Sequence, residues 1–173
     1  MEEFRTKEEN KSGNQVDSDK ISNRRSLDQA HARQLDRVIE KHYRDGVTED
    51  DLNRLVRLAY DPGKKQFLVR EAELALEYEK RGNSSGRLVR APADSHADYY
   101  DTEKKQYIDF VGGFDIEAKN FSDFKISIDR HLKRSNNGVH ILFDVRHWSF
   151  EEKQKIRRYA ELIGMNNYNL IED

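Results

Sequence analysis

The spacing of apolar and polar positions divides the chain near Arg25. Beyond the initial methionine, the large apolar residues of the first 25 are Phe4, Val16 and Ile21, set among Glu, Lys, Asn, Ser and Asp. Such a stretch buries too little surface to offset its ordering entropy, so residues 1–25 read as a disordered tail or linker. From Ser26 the pattern becomes periodic. Ser26-Leu-Asp-Gln is a capping box, and Ala30, Leu35, Val38, Ile39 and Tyr43 follow as one helical stripe that ends at Asp45-Gly46. Thr48-Glu-Asp-Asp51 opens a second helix carrying Leu52, Leu55, Val56, Leu58 and Ala59, which Asp61-Pro62-Gly63 stops. Residues 26–61 are therefore expected to form a helical hairpin that packs onto something else.

The pattern from Lys64 predicts a different kind of unit. A third helix starting there carries Phe67, Leu68, Ala72, Leu74, Ala75, Leu76 and Tyr78, and frays at Arg81-Gly82. Leu88-Val89 opens a strand, and Ala97 to Asp101 with Gln106 to Val111 form a hairpin around Thr102-Glu-Lys-Lys105. Gly112-Gly113 breaks the second strand, and Phe114 to Lys119 either continues the sheet or crosses it as a loop. Ser122 begins a helix that ends at Asn136-Asn137-Gly138. Val139-His-Ile-Leu-Phe143 is apolar enough for a central buried strand. Ser149-Phe-Glu-Glu152 caps a last helix, which Gly164 ends, and Tyr168 to Ile171 is a last strand. The expectation for residues 64–173 is an α/β domain, a small mixed β-sheet flanked by helices, preceded by the N-terminal helical segment.

Length and composition bound this picture. At 173 residues there is room for one well-cored domain and an appendage, and the 37% of charged residues accounts for the polar front. The net charge of −2 supplies no global basic field for nucleic acid, although Arg87 with Arg90, or Lys153 to Arg158, could meet phosphates locally. With no cysteine, disulfides and thiolate metal sites are excluded. No apolar run approaches the roughly 20 residues of a membrane span, and Met1 to Lys20 lacks the apolar centre of a signal peptide. The chain is expected to be soluble, reaching an export route only on a longer parent or a carrier.

Carboxylates cluster around the predicted hairpin: Asp98, Asp101 and Asp109, then Asp115 and Glu117, with Lys119 two residues further on. Residues two apart on a strand share a face, so Glu117 and Lys119 could address one metal-bound phosphate. Two or three converging carboxylates suit Mg²⁺ or another divalent metal, with Asp98, Asp109 and Glu117 as ligands. Such an ion polarises a phosphoryl oxygen while a nearby ammonium stabilises the developing charge. A hairpin rich in Asp, Glu and Lys is equally a solvated edge that discourages aggregation.

The run Glu71-Ala72-x-x-Ala75-Leu76-x-x-Glu79-x-x-Gly82, then Arg90, Ala97-Asp98-Tyr99-Tyr100-Asp101 and Tyr107-Ile108-Asp109, resembles C-terminal nuclease toxin domains of bacterial polymorphic toxin systems, of the Rhs and contact-dependent inhibition types. The resemblance covers roughly residues 64–165. It implies a restriction-endonuclease-like order of elements and a metal-dependent endonuclease acting on DNA or RNA in the cytoplasm of a target cell, delivered as part of a larger toxin and blocked by a cognate immunity protein. Carried over by position, it makes Glu71 the helix acid, Asp98 the first-strand acid, with Asp101 close behind, and Asp109 the second-strand acid.

One position departs from the pattern. The lysine expected two residues after the second acid falls on Val111. Either Glu117-Ala118-Lys119 is the true acid-x-lysine element, with Lys119 as the migrated cation, or the domain is catalytically inactive and acts as a protein-binding module. A third reading is a metal-independent ribonuclease using His147 and Lys119. His147 lies beside Trp148 in the loop after the central strand, with Asp144 and Arg146, where α/β proteins often build sites, so His147, Asp101 and Arg90 are candidate substrate contacts. Packing against Trp148 is the plainer role for His147, and His140 reads as a core residue.

Overall fold

The computed structural model describes residues 29–83, 86–112 and 120–173. The predicted tail, the Ser26 capping box and the Phe114 to Lys119 segment, with Glu117 and Lys119, lie outside the described residues. Helix α1 (Gln29–His42) and helix α2 (Glu49–Ala59) form where the apolar stripes place them, and each packs against the helix that follows the two. Thr48 caps α2 as its sequence predicts: its hydroxyl accepts from the Asp51 amide while its own amide donates to the Asp51 carboxylate, at 3.2 and 2.9 Å.

The third helix, α3 (Val69–Arg81), starts five residues later than its apolar pattern suggests. Residues 60–67 instead form a small antiparallel hairpin, β1 (Tyr60–Asp61) with β2 (Gln66–Phe67). The Asp61 carboxylate accepts from the Gly63 and Lys64 amides at 2.8 and 3.0 Å, and this side-chain turn competes with helix for those amides.

The main sheet is built from β3 (Leu88–Arg90), β4 (Tyr99–Asp101), β5 (Gln106–Gly112), β6 (His140–Asp144) and β7 (Tyr168–Ile171), in that spatial order. The first three strands are antiparallel and the last two join in parallel. Helix α4 (Phe121–Asn136) connects β5 to β6, and α5 (Phe150–Leu162), capped by Ser149, connects β6 to β7. From α3 onward the order is helix, three strands, helix, strand, helix, strand, as expected. Strand β5 runs through Gly112, which pairs with Asp144; a Cβ there would sit 2.8 Å from the Asp144 carbonyl oxygen, so glycine is what permits the approach.

Alternation along the strands assigns the two faces. Leu88, Tyr99, Ile108, Phe110, Leu142 and Ile171 share one apolar cluster with Leu35, Val38, Leu55, Leu58 and the apolar side of α3. The two N-terminal helices are thus part of the same core as the sheet. Val111, Ile141, Phe143 and Val145 point the other way, into a second cluster with Phe124, Ile128, Ile156 and Ala160 of α4 and α5. Val111 is 5% exposed inside that cluster, a place where an ammonium would be costly. Among the described residues no helix is long and apolar enough to cross a membrane.

Candidate functional site

The elements bring three of the predicted acids to one region. Asp109 is on β5, on the face that α4 covers. Asp98 precedes β4 and is held by the β5 backbone: its amide donates to the Ile108 carbonyl at 3.0 Å, and its carboxylate accepts from the Phe110 amide at 2.8 Å. Glu71 sits in the first turn of α3 and pairs with Arg90 of β3 at 2.6 Å. Asp98 and Asp109, but not Glu71, line a cleft of about 270 Å³ together with Asp61, Lys64, Arg90 and Arg134.

The electrostatics of the two aspartates are opposite. Burial, then the neighbouring charges of Glu71 and Asp109, push the Asp98 carboxyl well above the usual carboxylate range, and its hydrogen bond with Asp109 also favours the protonated form. Burial works in the same direction on Asp109, but hydrogen bonds from His131 and Arg134 outweigh it and hold that carboxyl low. Arg134 reaches Asp109 at 2.6 Å and His131 Nε2 lies 3.3 Å from the same oxygen. The His131 Nδ1 donates to the Ser127 carbonyl at 2.6 Å, which orients the ring. The result is a carboxyl and a carboxylate at one cleft, with Glu71 near enough to act on Asp98 and with Lys64, Arg90 and Arg134 among the lining side chains.

Lys64 and Arg134 were not singled out by sequence. Lys64 reaches the Asp61 carboxylate at 3.4 Å and Glu71 at 3.7 Å, placing an ammonium at the cleft although position 111 holds valine. A signal for Arg134 existed, since His131 and Arg134 are three apart on one helix face; which strand acid they would meet was a tertiary fact. Arg90, a predicted contact, does line the cleft, but it is engaged: besides Glu71, its guanidinium lies over the Tyr99 ring at 4.6 Å and donates to the Ala59 carbonyl at 3.4 Å.

Other predicted residues lie elsewhere. Asp101 is fully buried, accepting from the Glu103 and Lys104 amides of the hairpin turn and from the Tyr78 hydroxyl, with Arg87 beside it at 3.3 Å. It holds the turn rather than facing the cleft, and Arg87 is occupied with it. His147 is 81% exposed, does not line the cleft, and faces Asp173, whose carboxylate accepts from the His147 amide at 2.8 Å.

A second acidic group needs comparison. Among the described residues, His42, Glu73 and Glu77 offer ligand atoms within 4.8 Å of one another. Glu73, however, is already surrounded by cations: Lys41 at 2.6 Å, the Arg146 guanidinium at 3.0 and 3.2 Å, and His42 at 3.3 Å. Burial opposes ionisation of Glu73, yet these partners outweigh it and lower its pKa to about 2. Arg146 also pairs with Asp144 at the end of β6. This is a satisfied structural network joining α1, α3 and the end of β6, whereas at Asp98 and Asp109 one carboxyl is held protonated by burial and by its neighbours' charges.

No family model matches this chain, and no curated protein or solved structure matches it significantly.

Proposed function

We propose that the cleft at Asp98 and Asp109 binds a divalent cation and that the domain hydrolyses phosphodiester bonds of nucleic acid. The observation that carries this reading is that Asp98 and Asp109 line one cleft, where burial and the charges of Glu71 and Asp109 push the Asp98 carboxyl well above its ordinary range. A carboxyl shifted by burial and like-charged neighbours in a cleft is a candidate functional group. A hard divalent cation fits the donor set, since Mg²⁺ is commonly held by one or two carboxylates, with waters and substrate phosphates completing its shell. Asp98 and Asp109 would hold it, with Glu71 adding negative charge from α3. When bound, the ion supplies Lewis-acid polarisation of a phosphoryl oxygen and an activated water.

The chain's own groups have definable tasks. Asp98 must give up its proton for the ion to bind. Arg134 and His131 fix the orientation of Asp109. Lys64, at the mouth of the same cleft, is placed to balance charge that develops on a phosphate, the task assigned by sequence to Lys119. Support for a toxin setting, with delivery into a competing cell and an immunity protein covering this cleft, comes from the resemblance of residues 64–165.

A specific observation favours a second reading, a binding module that does not cut. Val111 is packed in the core, and Glu71 and Asp109 already have arginine partners at 2.6 Å. The two readings part in a cleavage assay on plasmid DNA and total RNA with Mg²⁺, Mn²⁺ or EDTA. Cleavage that requires metal and disappears in Asp109→Ala supports the nuclease. Intact substrates throughout, with both proteins folded, support the binding module.

A further inference from the structure

The sheet carries a second feature beside the acid pair. Residues directly opposite on neighbouring strands share a face, and so do residues two apart on one strand. Val89 pairs with Tyr100, and Tyr100 pairs with Tyr107, so these three form a row across β3, β4 and β5. Tyr107 lies two residues before Asp109 on β5, about 7 Å away along the strand, on the same face. Over β6 and β7 this face is covered by α4 and α5. At the row it is open: Val89 is 45% exposed and Tyr107 37%, and the Tyr100 and Tyr107 ring centroids lie 5.1 Å apart. Neither tyrosine hydroxyl has a hydrogen-bond partner among the described residues.

The row is exposed at Val89 and Tyr107 and half-buried at Tyr100, on a sheet whose opposite face is packed. A cross-strand tyrosine pair can serve stability alone, but here it adjoins the cleft. Helix α4 brings Arg134 to the cleft wall and carries Arg130 and Lys133 exposed beside it in sequence. Aromatic faces beside basic side chains suit a polymer that alternates flat apolar rings with phosphates.

We propose that the Tyr100 and Tyr107 pair is a stacking platform for unpaired bases, and that the substrate is single-stranded nucleic acid or an unpaired segment of a structured one. This deepens the phosphodiesterase reading and rests on it. The spacing supports the assignment, because a base lying on Tyr107 leaves the next phosphate of an extended strand within reach of Asp109. A base in a duplex is paired and stacked on both sides, so it presents only its edges and cannot lie on the rings. The exposed cations of α4 would follow the backbone.

The test is binding of fluorescein-labelled oligodeoxythymidine, oligouridine and a DNA duplex of equal length, followed by anisotropy in EDTA, with gels confirming that each probe stays intact. The variants are Tyr107→Thr, which keeps a strand-forming residue but removes the ring, and Tyr107→Phe, which keeps the ring. The expected result is preference for single strands, a loss of about 5- to 150-fold in Tyr107→Thr, and near-native binding in Tyr107→Phe, with matched melting temperatures. The two single-stranded probes decide between DNA and RNA. Equal binding of the duplex, or unchanged affinity in Tyr107→Thr, would overturn the proposal. Metal-dependent cleavage with kcat/KM unaltered in Tyr107→Thr would remove the platform and leave the nuclease. Ring-dependent binding of single strands without cleavage under any metal would do the reverse.

Discussion

Replacing Glu73 with glutamine separates the structural acid network from the proposed site. The substitution keeps the shape of the side chain and removes its charge, leaving Arg146 with Asp144 and Lys41 with Glu77 at 4.0 Å as carboxylates beside them. A pKa of about 2, against an ordinary value of 4.5, gives the size of the effect. At about 1.4 kcal/mol for each tenfold change in proton affinity, the ionised carboxylate favours the folded state by about 3 kcal/mol. Removing one member of a buried ion pair typically costs a similar amount. For a chain of this size that is a loss of roughly 6–12 °C in Tm. The sign with pH follows from the lowered pKa: the stabilisation is fully present above 4.5 and is lost as pH falls through about 2. Urea denaturation of native protein and Glu73→Gln, from neutral pH down to the acid limit of folding, measures the difference. It should be near 3 kcal/mol at neutral pH and shrink on acidification. A difference below about 1 kcal/mol at neutral pH, or one that does not change with acid, would refute the reasoning.

Three further outcomes are expected. In EDTA, Asp98→Asn should be more stable than the native protein at neutral pH, because the raised pKa of Asp98 means that ionising it opposes folding; the advantage should fade as pH falls below that raised value, which urea melts across the acid range would show. Val111→Lys should not restore an acid-x-lysine site. It places an ammonium in the apolar cluster under α4, and should cost a few kcal/mol in thermal denaturation. Lys64→Ala should lower cleavage by about 10- to 1,000-fold at unchanged stability if its ammonium acts on the transition state; kinetics unaltered by the substitution would leave it only as a partner of Asp61 and Glu71.

Local signals were the legible part of this fold. The Thr48 and Ser149 caps, the apolar run of β6, the turn between β4 and β5, and the last strand are each specified by a few adjacent residues, and all form where their patterns place them. The hairpin of β1 and β2 was not legible, because two-residue strands have no periodicity and its turn depends on one aspartate side chain. For the site, the clustering of Asp98 and Asp109 could be read from hairpin pairing, which sets them on adjacent strands. Asp101 looked equivalent in sequence, yet its carboxylate is turned into the hairpin loop and away from the cleft. The approach of Arg134 to Asp109 spans 25 residues of sequence, and that of Lys64 to Glu71 depends on the turn between β1 and β2, neither of which periodicity encodes. The tyrosine row needed the strand register before its exposure meant anything.

The most direct test of the central claim is calorimetric titration of Mn²⁺ into the native protein, Asp98→Asn, Asp109→Asn and Glu73→Gln, repeated in buffers of different ionisation enthalpy. The account predicts one site that is lost in both aspartate variants and kept in Glu73→Gln, with proton release that tracks deprotonation of Asp98. Binding that survives both aspartate substitutions, or that is lost only when Glu73 is changed, would contradict it.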